Sequence, residues 1–531
     1  MIYARLTVNP VDAAPASCSS AVVQPESSRS AIVGSVRLEL ALGLLVLGSR
    51  LLVVSYSGSP LPFYDQWLAE YHNTFIQILT NVGLVDVALV NHNEHFILTT
   101  RLVSLMGFLL NGYWDVPFLV VMSALVRAAV AVLTFRLVTA GGSGRQRIAA
   151  WIACIALFAV PYSGYNVLSG LQLSFYLVEL ALVWSISLVL RWRTPLASGL
   201  GLVVATIFGL CSMGSAIALP AATLTVHLAS RNRRPGFWPA WIGSVAVTLL
   251  YIAIIRIKGS ADAVASFELT PVLFLLRLMS WPLQLAWVGA IMAGVLVVMM
   301  VRLLKARHPT TLSVAALAGL GAFAAVNIIV LSVRREPADF HMRHWEVVAW
   351  MPFTFFLALK AVFPGATIVR LHIASIVGAV LAVGLATVFV TRTVPYLEET
   401  HRYRDEALQF YRDAFLSGSI REEGYRLNGM LYRQDYSFFD DPILRYMPHP
   451  LTVEVIAEAP KPTLALLAPE ILPIRSPSLP AKVTPWVCNK GWILCFTFAA
   501  VFVALRVRRT KDVASNLPDA ETLEATDTAS P

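Results

Sequence analysis

The sequence predicts an all-α polytopic membrane protein, and three observations carry that prediction. Hydrophobic residues make up 57% of the 531 and charged residues only 14%, with a mean hydropathy of +0.67, far from the balance of a water-soluble domain. Apolar stretches recur along the chain at the length that a hydrocarbon layer about 30 Å thick demands, roughly 20 residues per helix. Lysines and arginines gather in alternate connections, so the net charge of +9 reads as a positive-inside bias, and no nucleic-acid partner is expected.

Taken in order, residues 1–30 are rich in Ala, Ser, Val and Pro without a helical period and read as a disordered cytoplasmic tail. The apolar run after them has no small-x-small cleavage site and reads as a retained first span near 36–56. An outer loop, 58–95, follows. The stretch 96–110 is apolar but short and carries Arg101, which predicts a helix lying along the membrane interface. Further spans are expected near 116–138, 147–162, 173–190, 196–211, 214–229, 238–256, 282–303, 311–331, 346–363, 371–391 and 491–506, about twelve in all. The transmembrane domain so defined covers 31–391. The hydrophilic segment 392–489, helical in pattern at first and proline-rich from 459 to 485, reads as a small external domain. A last membrane helix (490–510) and a polar, disordered tail (511–531) complete the chain.

If the spans alternate, Arg136, Arg145 and Arg147 share a cytoplasmic face with Arg191 and Arg193, with Arg231, Arg233 and Arg234, and with Arg302, Lys305 and Arg307. The loops 58–95, 163–172, 257–272 and 332–345 then share the opposite face. Five cysteines (Cys18, Cys154, Cys211, Cys488, Cys495) lack metal or disulfide spacing.

Two of the outer loops carry dense polar clusters. The first holds Tyr64, Asp65, Gln66 and Trp67, then His92, Asn93, Glu94 and His95. A carboxylate such as Asp65 at a low-dielectric boundary is suited to accept a proton from a hydroxyl, and it is equally suited to cap a helix starting at Gln66. Glu94 and Arg101 are seven apart, which on a continuous helix places them on one face. His92 and His95, three apart, fit a phosphate or a divalent metal, or serve as interfacial anchors. No metal-site signature is present, so no metal residues are assigned. The second cluster holds Arg334, Arg335, His341, Arg343 and His344, whose guanidinium forks suit a lipid phosphate or diphosphate unless they only balance Glu336, Asp339 and Glu346. Asn166, Ser169 and Gln172 form a weaker polar set that fits either a sugar pocket or helix packing.

The order of these elements resembles the GT-C membrane glycosyltransferases, such as the aminoarabinose and protein O-mannosyl transferases. The likeness runs from Tyr64-Asp65-Gln66-Trp67 to Arg136, with the Arg343-His344-Trp345 loop similar in position to their phosphate-holding loops. The chain also resembles a group of uncharacterised bacterial membrane proteins with a His-Asn-Glu-His-Arg core, in which Phe96 here replaces the arginine. The resemblance implies a bacterial inner-membrane enzyme with an outward-facing site that moves a sugar from a polyprenyl-phosphate donor to a glycan, lipid or protein acceptor. In that reading Asp65 and Glu94 are catalytic, and Tyr64, Gln66, Trp67, His92, Asn93, His95, Arg101, Gln172, Arg334, Arg335, His341, Arg343 and His344 bind substrate. A transporter or flippase of a lipid-linked or amphipathic substrate is the alternative, disfavoured because the spans hold few acids, Glu39 and Glu179 among them.

Overall fold

The computed structural model describes residues 26–59, 95–111, 115–141, 144–231, 234–258, 269–305, 311–334, 342–362, 368–402 and 479–515, with Arg404 and single positions of the first loop (Gln66, Ala69, Glu70, Asn73, Thr74, Gln77, Val87, Val90, His92). All of the named elements are helical. The chain runs as α1 (Glu26–Ser57), α2 (Leu98–Asn111), α3 (Val116–Val138), α4 (Gly144–Cys154), α5 (Gly164–Leu168), α6 (Leu173–Leu190), α7 (Pro195–Leu210), α8 (Leu219–Ser230) and α9 (Phe237–Lys258). It continues as α10 (Leu269–Met279), α11 (Ala286–Lys305), α12 (Leu312–Arg334), α13 (Trp345–Val348), α14 (Trp350–Val362), α15 (Ile368–Val388) and α16 (Leu479–Ser515).

Among the described residues, eight helices are long and apolar enough to cross a membrane, which makes the chain an α-helical, multi-pass membrane protein. Four of the expected spans do not reach that length. Gln146–Ala159, Pro195–Leu210 and Gly214–Ser230 are shorter apolar helices, and the expected 346–363 span is divided between α13 and α14. At 1.5 Å per residue, the 16 residues of α7 reach about 24 Å, short of the hydrocarbon thickness.

Local chemistry sets several of the boundaries. Asp115 accepts from the Phe118 amide and the proline at 117 occupies the first turn, so α3 starts where the first four amides need a cap. Ser163 caps α5 in the same way. The expected 257–272 loop is shorter than the sequence suggested, because α10 begins at Leu269 and the chain turns through 280–285 before α11. The helix begun by α15 continues through a π-turn, Phe389–Thr393, to residue 402, and α16 begins at Leu479. Both edges of the expected external segment are therefore helical. Its interior lies outside the described residues, as do residues 1–25 and 516–531.

Burial separates an inner set of helices from a peripheral one. The membrane-crossing windows of α6, α12, α1 and α3 are 50–72% buried, against 17–22% for those of α9, α11, α15 and α16. In the inner set α1 packs on α3, α3 on α6, α6 on α8, and α8 on α12. The outer helices turn Leu249, Trp287, Val297 and Val383 outward, an apolar surface that suits lipid.

The two ends of the bundle differ in chemistry. At one, Arg136 pairs with Glu39 at 2.6 Å, Arg37 donates to the Leu505 carbonyl and Arg231 to that of Leu303. This is the end where the arginine-rich connections were expected. At the other, Ser57 donates to the Leu397 carbonyl, Thr393 to that of Tyr162, Ser163 to that of Met342, and Asn166 to that of Arg343. Single cysteines placed at Arg193 and at Arg404 in a cysteine-free background are expected to react with a membrane-impermeant thiol reagent from opposite sides of the membrane; labelling from the same side contradicts the two-ended arrangement.

Candidate functional site

At the second end, three connections that the sequence singled out come into contact around the turn 163–172. Asn166, fully buried, donates its side-chain amide to the Arg343 carbonyl at 3.0 Å. On its other flank, a Cβ at Gly170 would lie 2.7 Å from Leu119 Cβ of α3 and 3.1 Å from the Gln66 side-chain nitrogen, so glycine lets the turn lie close against α3 with Gln66 of the first loop beside it. The turn is thus wedged between the first loop and the Met342–His344 turn, which brings parts of the two polar clusters to one place.

Within the first loop, Gln66 donates to Glu70 at 3.0 Å and Ser104 of α2 donates to the other Glu70 oxygen at 2.9 Å, with Gln66 and Glu70 fully buried. Arg101 is committed to the backbone. Its guanidinium donates to the carbonyls of Ala69, Val87 and Val90 at 3.4, 3.1 and 2.7 Å. Burial lowers its pKa to about 10, the nearby Glu70 opposing that shift, so it stays protonated at neutral pH and pins the loop to α2. The polar residues of α2 face inward while Leu102, Met106, Leu109 and Leu110 face outward, the inverse of a soluble amphipathic helix.

The helix that carries Arg101 starts only at Leu98 and residues 95–97 before it are not helical, so the expected continuous helix back toward position 94 is absent there. His92 and His95 instead exchange backbone hydrogen bonds at 2.9 and 3.0 Å in a tight turn. A Cβ at Gly214 would lie 2.6 Å from His95 Nδ1 and 3.4 Å from the Tyr251 hydroxyl, and Thr99 donates to Ser212 at 2.8 Å, so the break between α7 and α8 closes over this turn. Among the described residues no group of three or more His, Cys, Asp or Glu side chains is placed to hold a metal. Tyr64, Asp65, Trp67, Asn93, Glu94, Arg335 and His341 lie outside the described residues, and of Arg334 only its place at the end of α12 is described. His344 is buried and Arg343 half-buried beside Asn166.

The turn also presents polar atoms that meet no partner among the described residues. They are Asn166 Oδ1, Ser169 Oγ and Gln172 Oε1, all on residues at most 3% exposed. An unmet buried acceptor costs about 1–3 kcal/mol, so three within seven residues mark a place where donors are wanted.

Directly beneath lies a network that the sequence did not disclose. Arg50 of α1 donates to Glu346 of α13 and to the Tyr176 hydroxyl of α6, each at 2.7 Å. Arg127 of α3 pairs with Glu179 of α6, reaches 4.0 Å from Glu346, and donates to the Leu157 carbonyl. Glu179 also accepts from the Trp350 indole of α14 at 2.9 Å, and Tyr176 donates on to the Asn166 carbonyl at 3.2 Å. The Arg127 guanidinium lies 4.6 Å from the Phe158 ring and 5.1 Å from that of Tyr176. Two guanidinium groups and two carboxylates, all at most 4% exposed, make a neutral unit that joins four helices, and the Trp350 indole adds a fifth. Such a unit is a clasp. Its opposite charges balance one another, although Arg50 Nε, Arg127 Nε and Glu346 Oε2 meet no hydrogen-bond partner among the described residues, and removing one charge strands its partner in a low dielectric.

No family model, curated protein or solved structure matches the chain.

Two outcomes follow from this geometry. Arg127→Met strands Glu179 and is expected to destabilise the protein by about 3–5 kcal/mol, whereas Arg127→Met with Glu179→Met recovers much of that loss, measured by unfolding in detergent micelles. Arg101→Met releases three loop carbonyls and is expected to speed proteolysis between residues 66 and 95 several-fold, with the rest of the chain cut at the wild-type rate.

Proposed function

We propose that the chain is a membrane glycosyltransferase that moves a sugar from a polyprenyl-phosphate donor to a cell-envelope acceptor at the outer face of a bacterial inner membrane. The observation that carries this reading is the contact of three polar connections at one end of the bundle, with unmet acceptors of Asn166, Ser169 and Gln172 in the turn between them. Acceptors suit the hydroxyl groups of a sugar. The Arg343 turn on one flank supplies cations suited to a phosphate, and the first loop on the other supplies carboxylates.

In this reading Asp65 takes the proton of the acceptor hydroxyl as that oxygen bonds to the anomeric carbon, and Glu94 is the second catalytic carboxylate. The bond from that carbon to the phosphate oxygen breaks, and the lipid phosphate departs with the electron pair. Arg334, Arg335 and Arg343 stabilise the charge that develops on it. Tyr64, Gln66, Trp67, His92, Asn93, His95, Gln172, His341 and His344 shape the sugar and acceptor sites. Arg101 takes a different part from the one its sequence position implies, since it holds the loop backbone. Inversion at the anomeric carbon is what the GT-C resemblance implies.

A second reading, transport of a lipid-linked substrate, gains support from the four charges buried among the helices, since intramembrane ionisable groups often mark ion or proton paths. Purified protein in liposomes separates the two. Transfer of label from polyprenyl-phosphate sugars to envelope acceptors, reduced at least a hundredfold by Asp65→Asn or Glu94→Gln and about tenfold by Gln172→Ala, supports sugar transfer. Translocation of the lipid-linked sugar without transfer, unaffected by those substitutions, supports transport instead.

A further inference from the structure

At the arginine-rich end of the bundle, two hydrogen bonds join three connections into one patch. The Trp192 indole, between Arg191 and Arg193, donates to the Pro235 carbonyl at 3.0 Å. Arg231, in a left-handed conformation where α8 ends, donates to the Leu303 carbonyl at 3.4 Å, next to Arg302. Gly236 tightens the first of these joins, since its backbone is left-handed (φ +77°) and a Cβ there would lie 2.8 Å from that of Pro195 at the start of α7. Arg191, Arg193, Arg231 and Arg302 are all exposed.

Unlike the clasp, this patch is not neutral. The chain has no Asp or Glu between Glu179 and Asp262, nor between Glu268 and Glu336, so none of the three connections carries an acid. Arg234 of the same patch is buried and donates to the Ser230 hydroxyl; burial lowers its pKa, and no carboxylate opposes that shift. Exposed guanidinium groups without acids call for an anion.

The surface next to the patch is apolar. Gly199 and Gly243 let α7 and α9 pack closely, a Cβ at each lying 3.2 Å from Ala240 and 3.3 Å from Val203. Both helices turn apolar side chains outward near the patch, Leu196 and Leu200 from α7, Trp238 and Ile242 from α9. Because α9 is long and apolar enough to cross the membrane, this face meets lipid chains. A soluble anion or an acidic macromolecule would use the cations and leave the apolar face uncovered. A zwitterionic headgroup would bring an ammonium to the same cations. An anionic phospholipid matches both parts.

We infer that the patch of Arg191, Arg193, Arg231 and Arg302, with the outward face of α7 and α9, is a binding site for an anionic phospholipid. The guanidinium groups hold its phosphate, and its acyl chains lie along Leu196, Leu200 and Ile242. The site is at the other end of the bundle from the 163–172 turn and does not depend on sugar transfer.

The test uses full-length protein in phosphatidylcholine nanodiscs holding a small fraction of a probe lipid, either phosphatidylglycerol or phosphatidylcholine, with a diazirine on one acyl chain close to the ester, and maps the label after photolysis. At 196–204 and 238–246 the phosphatidylglycerol probe is expected to label about fivefold more than the phosphatidylcholine probe, against at most about twofold at Val36 and Leu40, which flank the balanced Glu39–Arg136 pair at the same end. Arg191→Gln with Arg193→Gln should bring the ratio at 196–204 below about twofold. Arg508→Gln with Arg509→Gln, which removes the same charge from α16 where that helix packs on α1, should leave it unchanged. Labelling by the phosphatidylcholine probe, which needs no cation, reports whether α7 and α9 keep their fold in each variant. A wild-type ratio at 196–204 no higher than at Leu40, or an equal loss in the two double variants, reduces the effect to the general charge of this end and overturns the site. Excess inorganic phosphate at constant ionic strength should not change the ratio; displacement by it overturns the lipid as the occupant.

Discussion

The neutral cluster of Arg50, Arg127, Glu179 and Glu346 is the constraint on which the rest of the structure depends. In a lipid phase, helices gain little from hydrophobic association, so packing and hydrogen bonds must hold them. Here those bonds link α1, α3 and α6 to α13 and α14, which lie far apart along the chain. Through Tyr176 the same network reaches the Asn166 carbonyl, and through Glu346 it fixes the turn that carries Arg343 and His344. The polar end of the bundle is organised from below.

Much of the architecture was legible in the sequence, and the reason is physical. Apolar runs bounded by caps and charges define helices: Asp115 with the following proline starts α3, and Arg191 ends α6, so both helices begin and end at the residues read from the pattern. Among the arginine-rich connections expected on one face, contacts of Trp192 with the Pro235 carbonyl and of Arg231 with that of Leu303 join 191–193, 231–235 and the end of α11. The clasp was harder to read. Glu179 stood out as an acid within an apolar run, but Arg50 and Arg127 were hidden in theirs, and a partner 296 positions away leaves no local signal. The spacing of His92 and His95 fits a helix and a tight turn equally well; the turn is the form found, with His95 close against Gly214 and the next residue, Phe96, against Tyr251. The helix α10 escaped notice because it is short, ends in Arg277 and Met279, and joins α11 through a turn within apolar sequence.

Arg101 shows that the type of a charged residue does not fix what it meets. A guanidinium beside a polar loop suggests an anion, and here three of the groups it meets are backbone carbonyls. The expected substrate-binding residues thus divide into ones that build the loop, such as Arg101 and Gln66, the latter through Glu70, and ones that present unmet acceptors in the turn, such as Gln172.

The most direct test of this account is a double-mutant cycle on Arg50→Met and Glu346→Gln, read both by unfolding free energy and by the reactivity of a cysteine introduced at Met342. The clasp predicts a coupling of about 2 kcal/mol or more, together with a rise in cysteine reactivity that is equal in the two single variants and no larger in the double one. Additive destabilisation, with a Met342 position as protected in the variants as in the parent, would contradict it.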